Sequence, residues 1–233
     1  MWYVNTMMHR TRKHRAKILS AGLSLALAAC NTAYYKTMER FGYEKRDILV
    51  DRIEEARDAQ NDAKEQFRSA LDKFKEVVAV PESQLEKKYD EVSAEFQQSE
   101  ARAKAVHDRI DAVENVGDAL FSEWKSELGE YKSAAMRRES ERKLRDTRQR
   151  YDEVVAAMHK AESRIAPVLD ALRDQTLFLK HNLNAHAIAS MRTELATIES
   201  DTASLIHAME SSIAQSDEFI RSMGIESGGS ARL

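Results

Sequence analysis

Four stretches of this chain repeat small or apolar residues at alternating steps of four and three. The first runs Leu49, Ile53, Ala56, Gln60, Ala63, Phe67, Ala70, Phe74, Val77. The second runs Leu85, Tyr89, Val92, Phe96, Ser99, Ala103, Val106, Ile110, Val113, Gly117, Leu120, Trp124. The third runs Leu144, Thr147, Tyr151, Val154, Met158, Ala161, Ile165, Val168, Leu172, and the fourth Ile188, Met191, Leu195, Ile198, Thr202, Leu205, Met209. A mean step of 3.5 residues sustained this far is a coiled-coil seam. Interruptions are scarce, because the whole chain holds only two prolines, Pro81 and Pro167, and seven glycines. Such a chain has few places to turn, so its helices must be long.

The breaks follow from local chemistry. Ala79-Val80-Pro81 ends the first helix, and Pro81 suits the first turn of the next. Gly129 is placed to supply a left-handed C-cap, and Ser133 to cap the helix after it. Between Asn182 and His186 the spacing slips from Leu183 to Ile188, with Asn184 as an N-cap. Pro167 leaves the seam in phase and reads as a kink rather than an end. The spacing thus predicts helices near 34–79, 82–129, 133–182 and 185–223, the longest spanning roughly 60–75 Å. Short connections make neighbours antiparallel. The expected fold is all-α, an elongated antiparallel bundle of about four long coiled-coil-like helices. It forms a single domain over 30–225, followed by a mobile tail over 226–233.

Ahead of the seams, Arg10, Arg12, Lys13, Arg15 and Lys17 precede a short apolar run, Ile18–Ala29, with no acid before Cys30. A basic segment, an apolar stretch of about 12 residues and small residues at its end describe a secretory signal. A spanning helix would need about 20 apolar residues. Leu27-Ala28-Ala29-Cys30 is a lipobox. Small residues at Ala28 and Ala29 let the extended chain enter a signal peptidase. The Cys30 thiol accepts diacylglycerol as a thioether, and cleavage between Ala29 and Cys30 frees an amine for a further acyl chain. Two or more chains give stable anchoring. Residues 1–29 are therefore read as a lipoprotein signal peptide, with Met7 or Met8 as alternative starts. The other reading of Cys30 is a buried structural cysteine behind an ordinary cleaved signal. Asn31, where aspartate would favour inner-membrane retention in enteric-type sorting, points to an outer-membrane lipoprotein facing the periplasm.

Removing residues 1–29 takes five basic residues and no acid with it, leaving the mature chain at −8. That charge argues against general binding to nucleic acid or to an anionic membrane. Cys30 is the only cysteine, so no intrachain disulfide is available.

Two segments carry a family likeness. One is Tyr34-Tyr35-Lys36-Thr37-Met38-Glu39-Arg40-Phe41-Gly42, with Lys45 to Arg52 after it. The other is Leu177-Phe178-Leu179-Lys180-His181-Asn182-Leu183-Asn184-Ala185, with Ile188. Both resemble domain-of-unknown-function family 2959 (DUF2959), a family of bacterial envelope proteins, over about Ala33 to Ile225. The resemblance implies a helical, often lipidated protein of Gram-negative bacteria with no established activity. It supplies no catalytic residue.

Candidate sites are few. His181, Asn182, Asn184 and His186 surround a helix break, where amides and imidazoles near a helix N-terminus can hold an anion or a partner's backbone. The competing reading is an elbow whose asparagines cap. His181 and His186 are five residues apart and lack a cysteine, which argues against a metal site. Lys45 and Arg46, near the anchor, either bind headgroups or another envelope component or join intrahelical ion pairs. The basic run Arg137, Arg138, Arg142, Lys143, Arg145, Arg148 and Arg150 either meets phosphate or carboxylate groups of the envelope or is a solvated helix face. Tyr34, Tyr35, Phe41 and Tyr43 lie either at the membrane interface or over the bundle end. Trp124 sits on a seam and reads as core.

Neither a nucleophile with a base, nor a glycine-rich anion loop, nor a metal constellation is evident, so no catalysis and no cofactor are expected. The expected partners are a membrane, through the N-terminal acyl chains, and an envelope protein or the cell wall. The function expected is a lipid-anchored periplasmic scaffold or adaptor. The alternative is a helical bundle that binds a lipid or other small apolar ligand.

Overall fold

The computed structural model describes residues 44–230. Cys30, the signal segment and the aromatic cluster over 34–43 lie outside the described residues. Five α-helices and one 3-10 turn make up the described residues, without a strand. They are α1 (Lys45–Val77), the turn Glu82–Gln84, α2 (Leu85–Glu127), α3 (Ala134–Glu162), α4 (Ile165–His181) and α5 (Ala185–Ser230). No helix among them is long and apolar enough to cross a membrane. Residues Ile48 onward form one compact unit, and residues up to Asp47 fall in another.

Within the unit from Ile48, α3 and α4 together act as one long helical arm, so the five helices make a four-armed antiparallel bundle. Cross-helix bonds fix the neighbours. Arg109 on α2 reaches Glu55 on α1 at 2.7 Å, Arg102 reaches Asp62 at 3.0 Å, and Lys88 reaches Glu76 at 2.6 Å. One partner climbs as the other descends, which is antiparallel pairing. On its other flank α1 meets α5 through Arg57–Asp217 at 3.0 Å, Arg68–Glu210 at 2.9 Å and Lys75–Glu199 at 2.9 Å. The pairs Trp124–Ser140 and Arg173–Glu100 set α3 and α4 against α2. With 43 residues, α2 is roughly 65 Å long.

The seam supplies the core. All nine first-seam residues are buried, and Phe67, Phe74, Leu49 and Ile53 lose essentially all contact with solvent. Ile110, Met158, Leu179, Met191, Ile198, Leu205 and Met209 do the same from the other arms. Burying a side chain of this size contributes about 1.5–3 kcal/mol, so the seam dominates stability. It continues past Met209 through Ser212, Ser216, Phe219 and Met223, all buried.

Three boundaries depart from the spacing. The third arm is two helices, not one kinked helix, because the chain turns at Ser163–Arg164. Pro167 has no N–H for the Ser163 carbonyl, and its ring would crowd that carbonyl in a continuous helix. The chain ends α3 by tightening, with the Arg164 N–H donating to the Ala161 carbonyl at 3.1 Å, and restarts so that Pro167 falls in the first turn of α4. Ala161, Ile165, Val168 and Leu172 stay buried across the break, so the seam keeps its phase.

Gly129 is not left-handed. Helix α2 closes at Leu128 in right-handed geometry, with tight bonds from Gly129 to Ser126 and Glu130 to Glu127. Ser133 does cap α3, its hydroxyl accepting from the Met136 N–H at 3.4 Å. Finally, α5 continues through Glu226–Ser230, the first part of the segment read as a tail, rather than ending near 223.

Candidate functional site

The elbow between α4 and α5 spends its polar groups on itself. The Asn182 side-chain amide donates to the Phe178 carbonyl at 2.9 Å, and the Asn184 side-chain oxygen accepts from the Ala187 N–H at 3.1 Å. Both asparagines are therefore caps. His181 and His186 are exposed, and nothing joins them. Arg192 then fastens this end by donating twice to the Val78 carbonyl, at 3.0 and 2.8 Å. No cluster of three or more His, Cys, Asp or Glu able to hold a metal occurs among the described residues. Lys45 and Arg46 open α1, are half-buried and have interaction partners.

A groove at the α2–α3 junction has more to offer. It encloses about 950 Å³ and has an apolar floor of Phe121, Leu144 and Ala156. Lys125, Arg145 and Arg148 also line it, together with Asp118, Asp152 and Glu153. Next to Phe121, α2 and α3 meet at a glycine. Tyr151 of α3 lies against Gly117 of α2 so closely that a Cβ there would sit 2.3 Å from the phenol oxygen. The hydroxyl donates to the Val113 carbonyl at 3.5 Å. Burial, reinforced by the nearby Asp118 and Glu114 carboxylates, pushes the phenol above its ordinary range, so it stays a neutral donor. The Tyr151 ring meets Phe121 at 5.1 Å, tilted by 60°. Arg148 covers both rings, 5.0 Å from the Phe121 centroid and 5.4 Å from that of Tyr151, while donating to Asp152 at 2.8 Å. Of this cluster Arg148, Phe121 and Asp152 line the groove.

A second cluster lies at the α3 break. Glu162 accepts from two imidazoles, His107 Nδ1 at 2.7 Å and His159 Nδ1 at 3.0 Å. His159 Nε2 also meets Glu114 at 3.0 Å. Glu162, with Asp111 behind it, raises the pKa of His107, and Glu114 followed by Glu162 raises that of His159. The spacing of the sequence did not reveal this cluster, because its members come from two helices 45–55 residues apart in sequence.

The basic run divides by partner. Arg137 pairs with Glu141 at 3.0 Å, Arg142 with Glu139, and Arg148 with Asp152. Lys125, Lys132, Arg138, Lys143 and Arg145 engage no carboxylate among the described residues. Trp124, read as core, is half-buried, and its indole N–H donates to Ser140 at 2.9 Å.

The model of a family described as protein of unknown function (DUF2959) matches residues 34–223. The chain belongs to this family. No curated protein and no solved structure matches it. The DUF2959 match takes in the α2–α3 groove, the histidine cluster and the α4–α5 elbow alike.

Proposed function

We propose that the chain is a lipid-anchored periplasmic scaffold or adaptor, held in the outer membrane by acyl chains on Cys30, whose helical faces bind other envelope proteins or the cell wall. The observation that carries this reading is the lipobox Leu27-Ala28-Ala29-Cys30 ahead of a long, repetitive bundle. Asn31 supports the outer membrane over the inner. The reading includes no catalytic step. Crosslinking in intact cells followed by capture of the tagged protein tests it. Envelope proteins or peptidoglycan fragments enriched over an unrelated lipoprotein are expected, and capture of none counts against the adaptor. Cys30→Ser tests the anchor, because an alcohol does not replace a thiol in thioether formation. Fatty-acid labelling should vanish in that variant, and equal labelling would overturn the lipoprotein reading.

The second reading, a carrier of a lipid or other apolar ligand, rests on the groove with its Phe121, Leu144 and Ala156 floor. A stoichiometric lipid retained in native mass spectrometry would favour it.

A further inference from the structure

The end of the bundle where α1 begins differs from the opposite end. Glu55 faces Arg109, so in this antiparallel pair Ile48 lies level with residue 116. The α2–α3 turn therefore stands roughly 15 Å beyond Ile48. Every residue from Gly129 to Glu139 is exposed. Two of the four exposed large apolar side chains among the described residues are here, Met136 at 62% and Tyr131 at 40%. Around them are five cations without a carboxylate partner among the described residues, Lys125, Lys132, Arg138, Lys143 and Arg145. From Lys125 to Arg145 seven basic residues face four acids, a net +3 within a mature chain of −8. Two of those acids, Glu139 and Glu141, are already paired to Arg142 and Arg137.

We propose that this tip docks onto an anionic, phosphate-bearing lipid surface, with Tyr131 and Met136 at the interface and the five cations on headgroup phosphates. The proposal rests on the anchored reading above. Cys30 precedes Ile48 by 18 residues, a link that reaches at most roughly 60 Å however it is arranged. The chain coming from Cys30 thus enters the bundle at this end. Charge complementarity supplies the second argument. Basic residues near an anionic surface add roughly fivefold each in occupancy. An amphipathic aromatic such as Tyr131 settles at headgroup depth. The chain as a whole is acidic, so attraction is confined to the tip and orients the rod.

The test uses acylated full-length protein in vesicles. Cys30 is the sole cysteine and is consumed by acylation, so Met136→Cys or Leu183→Cys introduces the single reactive thiol. Leu183 is the matching exposed apolar residue at the opposite end, 41% exposed. Each thiol carries an environment-sensitive fluorophore, and quenching by headgroup-labelled lipid is measured. In vesicles of equal phosphatidylcholine and phosphatidylglycerol, the probe at 136 should be quenched severalfold more than the probe at 183. Arg138→Glu/Lys143→Glu/Arg145→Glu should reduce quenching at 136 to the level at 183, as should phosphatidylcholine alone. Equal quenching at both positions in the unmodified background overturns the docking. A reactive thiol at Cys30 in the unsubstituted protein overturns the anchor instead. The same comparison in a Cys30→Ser background at saturating lipid then decides the surface by itself, preferential quenching at 136 upholding it and equal quenching overturning it.

Discussion

Along α1 the charges reach sideways. Arg57, Arg68 and Lys75 bond to α5, and Glu55, Asp62 and Glu76 receive cations from α2. Along the first half of α3 the charges reach back along their own helix, Arg137 to Glu141 and Arg142 to Glu139. Burial follows the same division. Ten residues of the 33 in α1 are buried, against six of the 29 in α3. A helix flanked closely on both sides covers its rim and uses its charges to do so. The first half of α3 spends its charges locally and leaves cations and a groove facing solvent. The first arrangement suits a structural strut, and the second suits a surface that meets something else.

The two arms can be told apart by how they respond to substitution. The largest effect belongs to the seam of the strut. Phe67→Asp places a charge in a fully buried site with no partner and should cost several kcal/mol, read as loss of the cooperative thermal transition. Next comes the close contact between α2 and α3 at Gly117. Gly117→Ala should cost about 1–3 kcal/mol despite the better helix propensity of alanine, because Tyr151 must leave its place. In a Tyr151→Ala background the same change should be neutral or stabilising. A Gly117→Ala cost that persists there would mean the glycine serves something other than the tyrosine.

The third effect depends on pH. Both clustered histidines have folded pKa values raised above the unfolded value by their carboxylates. Their contribution is full below about pH 6.5 and fades as pH rises through the raised values. His107→Gln/His159→Gln should remove that decline from melting temperatures followed between pH 6 and 9. A slope unchanged by the double substitution would assign it to other groups. The smallest effect is on the rim. Arg68→Ala breaks half-exposed pairs with Glu65 and Glu210 and should cost at most ~1 kcal/mol. If it proves as damaging as Phe67→Asp, the division between seam and rim along α1 is misplaced.

Fold class was legible because a helix repeats every few residues, so one sequence carries its own periodic record of which face is buried. Every residue of the first seam is buried, including Gln60, whose polarity alone would have placed it outside. Boundaries were less legible. Gly129 suggested a left-handed cap, yet the turn closes through right-handed Leu128, and Pro167 acts at a distance on Ser163. The polar elbow was visible and its capping asparagines were foreseeable. The Gly117–Tyr151 contact was not, because each is an ordinary seam residue on its own helix. Only their apposition, set by the stagger of α2 against α3, turns a missing side chain into a seat for a ring. The same holds for Glu162, which periodicity marks as a surface carboxylate and packing makes a bridge between two imidazoles.

A seam that repeats every seven residues has a hazard. Sliding α1 along α2 by one heptad would still bury apolar residues against apolar residues, so burial alone does not forbid it. The row of charges between them works like a vernier. In the observed alignment Glu95 accepts the Gln66 amide at 2.6 Å while Asp62 and Glu76 meet Arg102 and Lys88. In the register of the ion pairs Glu95 lies level with Ser69, so a slip of seven would bring it level with Asp62 one way and with Glu76 the other. Each rim pair adds little to the strength of the fold, yet together they mark a single alignment along a track that offers several.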